Sequence, residues 1–194
     1  MIRKLYDWVM DLAAHKNAPV ALFAVAFAES SFFPIPPHAM LIPMVLADRS
    51  KAWRFAAICT IGSVLGGLAG YFIGASVLYQ LLLAPLFDLY GYSEKFAAFK
   101  EAYNAYGGWI VFGAGVTPFP YKVITIASGI VGMNLAVFTI ASILSRGLIF
   151  FGIAALLYLF GKPIRDFIER RLGLVATVAT ALLFGGFLAI RFLI

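Results

Sequence analysis

Glu29-Ser30-Ser31-Phe32-Phe33-Pro34-Ile35-Pro36-Pro37-His38 sits in the middle of an apolar stretch that runs from about residue 18 to residue 47. Proline has no backbone N–H, its ring crowds the preceding turn, and it disfavours helix in the residue before it. Pro34, Pro36 and Pro37 therefore interrupt any helix laid through this stretch. The flanks decide what the interrupted stretch does. Arg3, Lys4 and Lys16 precede it, and Arg49, Lys51 and Arg54 follow it. Basic clusters beside apolar segments mark the cytoplasmic side of a membrane. With both flanks on one side, the stretch enters and leaves by the same face, as a re-entrant helix–turn–helix hairpin. A span broken by prolines would account for the prolines alone.

Composition supports the membrane frame. Of 194 residues 63% are hydrophobic and 12% charged, with a mean hydropathy of +0.96. A soluble domain is closer to half apolar and a quarter charged. The length suits one domain. The net charge of +6 lies in short clusters beside apolar segments, which argues against nucleic acid as a partner. Cys59 is the single cysteine, so neither an intrachain disulfide nor a cysteine-rich metal site is expected. Met1–Pro19 carries Asp7, Trp8 and Asp11 and lacks the apolar core of a cleavable signal. Its Leu5, Trp8, Val9 and Leu12 have helical spacing, which predicts an amphipathic helix lying in the interface.

The pattern of the first stretch recurs. Phe55 to about Ala84 is continuous and should cross outward. The connector over 85–106 balances Asp88, Glu94 and Glu101 against Lys95 and Lys100, as suits the outer side. Phe96, Phe99, Tyr103 and Tyr106 share one helical face there, predicting a short surface helix. Gly107–Met133 is broken by Thr117-Pro118-Phe119-Pro120-Tyr121-Lys122. Leu135–Phe160 is continuous and leads to Lys162, Arg165, Arg170 and Arg171, a second cytoplasmic cluster. The third stretch must then enter and leave from outside. A last apolar stretch over about 172–190 crosses outward, and Arg191 at its outer end fits this topology poorly.

The expected fold is thus an all-α integral membrane protein with two inverted repeats, about 18–84 and 107–160. Each repeat is a re-entrant helical hairpin plus a transmembrane helix. An N-terminal amphipathic helix and a C-terminal transmembrane helix flank the single domain. Many transporters use such repeats to hold a site near the midplane. Six ordinary spans kinked by proline are the competing architecture. Gly62, Gly66, Gly70 and Gly74, at i+4 spacing, form a smooth stripe for close helix packing, which also leaves room for a homodimer.

Ionisable side chains at membrane depth are costly and mark functional sites. Glu29, His38, Lys122 and Arg146 qualify. Glu29, just before the proline break, is the candidate proton site, or else the structural partner of a cation. His38 is a candidate proton acceptor or an interfacial hydrogen-bonder; no second His or Cys stands at metal-ligand spacing. Lys122, closing the second break beside a helix start, is a candidate anion site or a partner for Glu29. Arg146, deep in the fourth stretch beside Ser142 and Ser145, needs a partner or a wet cavity, and a pair with Glu29 would satisfy it. One acid against two bases leaves one cation for an anion such as a lipid phosphate. No nucleophile elbow, zinc-protease motif or phosphate-cradling loop is present, so no enzyme activity and no cofactor are expected.

Glu29 to Pro37, Gly62–Gly74 with Tyr71, and above all Gly115-Val116-Thr117-Pro118-Phe119-Pro120-Tyr121-Lys122-Val123-Ile124-Thr125-Ile126-Ala127-Ser128-Gly129 resemble the DedA family, also called the SNARE-associated or VTT-domain family. The resemblance is closest to its YqaA-like branch and covers nearly the whole chain. It implies two facing re-entrant hairpins in the bacterial cytoplasmic (inner) membrane, and the basic residues Arg3, Lys4 and Lys16 put the N-terminus in the cytoplasm. It also implies flipping or scrambling of lipids, undecaprenyl phosphate or phospholipids among them, in some members tied to proton-motive force. Glu29 then looks like the family's hairpin acid, and Lys122 stands near its second essential arginine. Other branches carry an acid where His38 stands and an arginine where Val116 or Thr117 stands, which makes Arg146 the candidate replacement cation. The function expected is a flippase or scramblase for an anionic phosphate-bearing lipid. A small proton-coupled ion or drug transporter and a non-transporting envelope scaffold are the alternatives.

Overall fold

The computed structural model describes residue 15 and residues 17–32, 36–85, 89, 93–117 and 119–170. Leu5 to Leu12 of the expected N-terminal helix, Pro34, Pro118 and the expected helix over 172–190 lie outside the described residues. Those described form six α-helices and no strand: α1 Ala18–Ser31, α2 His38–Ala47, α3 Ala52–Phe72, α4 Ser93–Val116, α5 Tyr121–Ile130 and α6 Leu135–Arg170. A short 3₁₀ turn, Arg49–Lys51, leads into α3, and wider i→i+5 turns over Ile73–Leu83 continue it.

The helices stop where the prolines require. Helix α1 ends at Ser31, and α2 starts behind Pro37. Helix α4 ends at Val116, and α5 starts behind Pro120, whose ψ of 104° is extended. Pro19 is tolerated in the first turn of α1, where backbone N–H groups have no intrahelical partner. Pro163 lies inside α6, and the chain kinks at Phe160 (φ −115°, ψ 17°). The ring crowds the Leu159 carbonyl and offers it no donor, the usual cause of such a kink.

One boundary differs from the sequence reading. The expected surface helix and the first arm of the second broken stretch are one helix, α4. Gly107, read as the start of the third apolar stretch, and Gly108 lie within it. A mid-helix glycine costs about 1 kcal/mol without forcing a break, and here the missing side chains admit Met133 and Val137. The expected aromatic face is also divided: Tyr103 is buried, while Phe99 and Tyr106 are exposed.

Contacts along the glycine stripe give the helix directions. Gly62 lies against the Phe23 carbonyl, Gly66 against Phe27 and Gly70 against the Ser30 carbonyl, so α1 and α3 run side by side in one direction. Helix α2 comes back: its Leu41, Met44 and Val45 share a core with Ala18 and Leu22, with Ala52, Phe55 and Cys59 at the start of α3, and with Phe150 and Ala154. In the second half Gly107 meets Met133 and Gly115 meets Ser145, so α4 and α6 run in one direction. Helix α5 comes back along α4, with the Tyr103 hydroxyl 3.0 Å from that of Ser128. Helices α3 and α6 oppose each other. Trp53 stacks on Phe151 at one end, and the Tyr71 hydroxyl donates to the Met133 carbonyl (2.5 Å) at the other.

Among the described residues two helices, Arg49–Ser76 and Leu135–Gly161, are long and apolar enough to cross a membrane. A helix from a soluble core would pass the same test but would be covered. Here Ile140, Ile143, Leu144, Leu148, Leu156 and Leu159 are all exposed along α6. Ser30, Ser63, Thr125, Ser128, Ser142, Ser145 and Arg146 are buried instead. Apolar side chains outside and hydroxyls inside are what an apolar solvent selects, because every polar group must find its partner within the protein.

Candidate functional site

The polar interior centres on Glu29 and Arg146, 117 residues apart in sequence. Glu29 stands in the last turn of α1, just before the chain breaks, and Arg146 in the middle of α6. Arg146 Nη2 donates to Glu29 Oε2 at 3.0 Å, with 6% and 17% of the two side chains exposed. Arg146 Nε donates to Ser63 Oγ on α3 at 2.7 Å. The Ser30 hydroxyl donates to Glu29 Oε2 at 3.1 Å and lies 2.6 Å from the Ser63 hydroxyl.

Two rings flank the guanidinium carbon: Tyr121 at 4.7 Å from the start of α5, and Phe150 at 4.8 Å on α6. Each desolvated cation–π contact of this kind contributes about 0.5–2 kcal/mol. The Tyr121 hydroxyl donates to Ser142 Oγ at 2.5 Å, which fixes the ring. His38, opening α2, tilts against Phe150 with 5.4 Å between ring centroids. Thr125 of α5 donates to the Ser30 carbonyl at 3.0 Å, joining the ends of the two broken segments directly.

The four ionisable residues singled out in the sequence therefore separate. Glu29 and Arg146 pair, and His38 lies beside Phe150 on the same cluster. Lys122 is half-buried one residue beyond Tyr121, and its amine has no hydrogen-bond or ion-pair partner among the described residues. Its backbone carbonyl accepts from Thr125 at 2.9 Å. The structural alternative in which Lys122 pairs with Glu29 is not the one observed, because Arg146 occupies that carboxylate. Among the described residues no group of three or more His, Cys, Asp or Glu could hold a metal.

The glycine stripe brings these groups within reach. A Cβ at Gly66 would run into the Phe27 backbone, and one at Gly74 into the Ile126 carbonyl. At Gly70 it would meet Thr125 Oγ1 and, at 3.2 Å, the Ser30 carbonyl. The stripe thus packs α1 along its first half and α5 along its second, and the two segments meet at Gly70. Sequence reasoning missed Ser30, Ser63 and Tyr121 as parts of the site. A usable signal existed for Ser63: a hydroxyl beside the stripe, at the depth of the only cation in the opposing span.

Helices that are apolar outside and hydroxyl-rich inside, with a buried ion pair joining an interrupted segment to a continuous helix, are those of a helical membrane protein. The model of the VTT domain matches residues 33–159, and the chain belongs to that family. An uncharacterized protein of Haemophilus influenzae is 37% identical over 142 residues, 73% of each chain. Another of Histophilus somni is 34% identical over 142 residues, again 73% of each. No solved structure matches.

Proposed function

We propose that this protein moves an anionic, phosphate-bearing lipid, undecaprenyl phosphate or a phospholipid, across the bacterial cytoplasmic membrane. Helices α1 and α2 form a re-entrant hairpin from the cytoplasmic side, α4 and α5 one from outside, and α3 and α6 span. Support for the inverted repeat comes from helix direction: α1 accompanies α3 as α4 accompanies α6, while α3 and α6 oppose each other. Helices α1, α2 and α5, of 14, 10 and 10 residues, extend only about 15–21 Å. A hydrocarbon core is about 30 Å thick.

The observation that carries the reading is the depth and partnership of the buried charges. Half-exposed Trp53 and Tyr158 lie together near one end of the α3–α6 pair. Exposed Trp109 adjoins Gly108, which packs on Val137. Trp and Tyr favour membrane interfaces. From Tyr158 to Val137 is about 31 Å of helix, with Arg146 near its middle. A midplane ion pair reached by both broken segments, with Lys122, whose amine has no partner among the described residues, next in sequence to Tyr121 of the cluster, suits the passage of a headgroup that carries one negative charge. Lys122 receives the phosphate, Arg146 adds positive potential while holding Glu29, and Glu29 with His38 couples or gates the passage through protonation.

Reconstitution into liposomes with fluorescent lipids tests this. Wild type should translocate phosphate-bearing lipids faster than empty liposomes, and Lys122→Ala should lose most of that gain. Equal rates for wild type and Lys122→Ala would remove Lys122 from the path. No lipid moving faster than in empty liposomes would end the transport reading for the lipids tried.

A further inference from the structure

Hydroxyl chemistry orders the cluster around Arg146. A serine hydroxyl has one hydrogen to donate and two lone pairs to accept with. Ser30 gives its hydrogen to Glu29 Oε2. The bond between Ser30 and Ser63, 2.6 Å long, must then use the hydrogen of Ser63. Ser63 in turn accepts from Arg146 Nε at 2.7 Å. The guanidinium is thus joined to one carboxylate oxygen by two routes, directly through Nη2 at 3.0 Å and through the two hydroxyls. Every hydrogen along both routes points the same way, toward Glu29.

A guanidinium is planar, so holding Nε and Nη2 fixes its plane as well as its position. Glu29 alone holds only one corner and leaves the group free to turn about the side chain's last bonds. Both serines are fully buried, so no solvent competes for their hydrogens. The neighbouring buried hydroxyls are otherwise engaged: Ser31 with the Phe27 carbonyl, Ser142 with Tyr121, and Ser145 with the Ser142 carbonyl.

We infer that Ser63 is a positioning residue for Arg146: its hydroxyl sets the guanidinium plane that faces Glu29 and lies beside Tyr121 and Phe150. Helix α3, whose one charged residue is Arg54 near its start, thereby fixes the orientation of a cation carried by α6. Helix α1 supports that setting through Ser30. A displacement of α1 along α3 would carry Glu29 and Ser30 away together and leave the cation held by Ser63 alone. None of this depends on which molecule crosses the membrane.

Side-chain ¹⁵N NMR of arginine, on the full chain in lipid nanodiscs, tests it. The Arg146 Nε–H signal is assigned by its loss in Arg146→Lys. A hydrogen bond to a charged donor is worth about 1.5–3 kcal/mol, so Ser63→Ala should speed exchange of that N–H by about tenfold or more. Ser31→Ala should leave it as in wild type. Ser63→Thr and Ser63→Val have the same shape and differ by the hydroxyl, so slow exchange should survive in the first and be lost in the second. Wild-type exchange in Ser63→Ala would overturn the role of Ser63. Where Ser63→Ala does not fold, the other pair decides, and equal exchange in Ser63→Thr and Ser63→Val would overturn it.

Discussion

Removing one member of the Glu29–Arg146 pair leaves its partner charged, buried and without a counter-ion. Such truncations cost about 3–5 kcal/mol, whereas replacing both partners with well-packed apolar residues is often neutral or better. Glu29→Ala and Arg146→Ala should each lower the unfolding midpoint in detergent sharply, and Glu29→Met with Arg146→Met should recover most of the loss. Lys122→Ala breaks no side-chain bond among the described residues and should change stability by no more than about 0.5 kcal/mol, so a transport defect at unchanged stability is functional. In the turn between α2 and α3, the Lys51 amine (2.5 Å) and Ser50 donate to Asp48 and hold its carboxyl below the usual carboxylate range. A carboxyl whose pKa falls on folding stabilises the fold above its unfolded pKa, and the gain is lost as pH falls through the folded one. The midpoints of wild type and Asp48→Asn should therefore converge on acidification, by an amount that shrinks with salt. Hydropathy alone singles out Glu29, His38, Lys122 and Arg146 in the sequence, because each interrupts or adjoins an apolar stretch. It left the partner of Glu29 open between Lys122 and Arg146, since that choice depends on which helix faces which.

At the scale of elements, the breaks were legible because proline acts locally, and α1, α2 and α5 stop and start beside theirs. The continuity of α4 was not, because Gly107 and Gly108 weaken a helix without ending it. What holds them in α4 is contact with Met133 and Val137, which no local pattern reports. The stripe on α3 was legible as a packing surface, but not its division between α1 and α5. That division predicts unequal glycines. Gly66→Ala places a methyl into the Phe27 backbone, which cannot yield as a side chain does, and should destabilise by about 1–3 kcal/mol. Gly113 and Gly152 have nothing within 4 Å of an added Cβ. Alanine there should be neutral or stabilise by up to about 1 kcal/mol, as helix propensity dictates. Thermal unfolding of the three variants in one detergent gives the comparison, and equal losses at all three positions would mean that backbone approach along α3 is not what the stripe provides.

For the whole molecule, the arrangement stands or falls on whether the two breaks open to opposite sides. Charge counts along the chain favour it, and parallel running of α1 with α3 and of α4 with α6 agrees. Ala39, beside the first break, and Thr117, in the second, are both exposed, so a cysteine at either should accept a reagent that reaches it. Cys59, the natural cysteine, is buried and can be replaced by alanine to give a silent background. In oriented vesicles a membrane-impermeant maleimide should label Ala39→Cys from the cytoplasmic side alone and Thr117→Cys from the outer side alone. Six ordinary spans kinked by proline would show no such opposition, since each break would then lie within a crossing helix and share one lipid environment. Labelling of both cysteines from one side would leave α1–α2 and α4–α5 as related in packing but not inverted across the membrane. It would also remove alternating exposure of the midplane pair as the basis of transport.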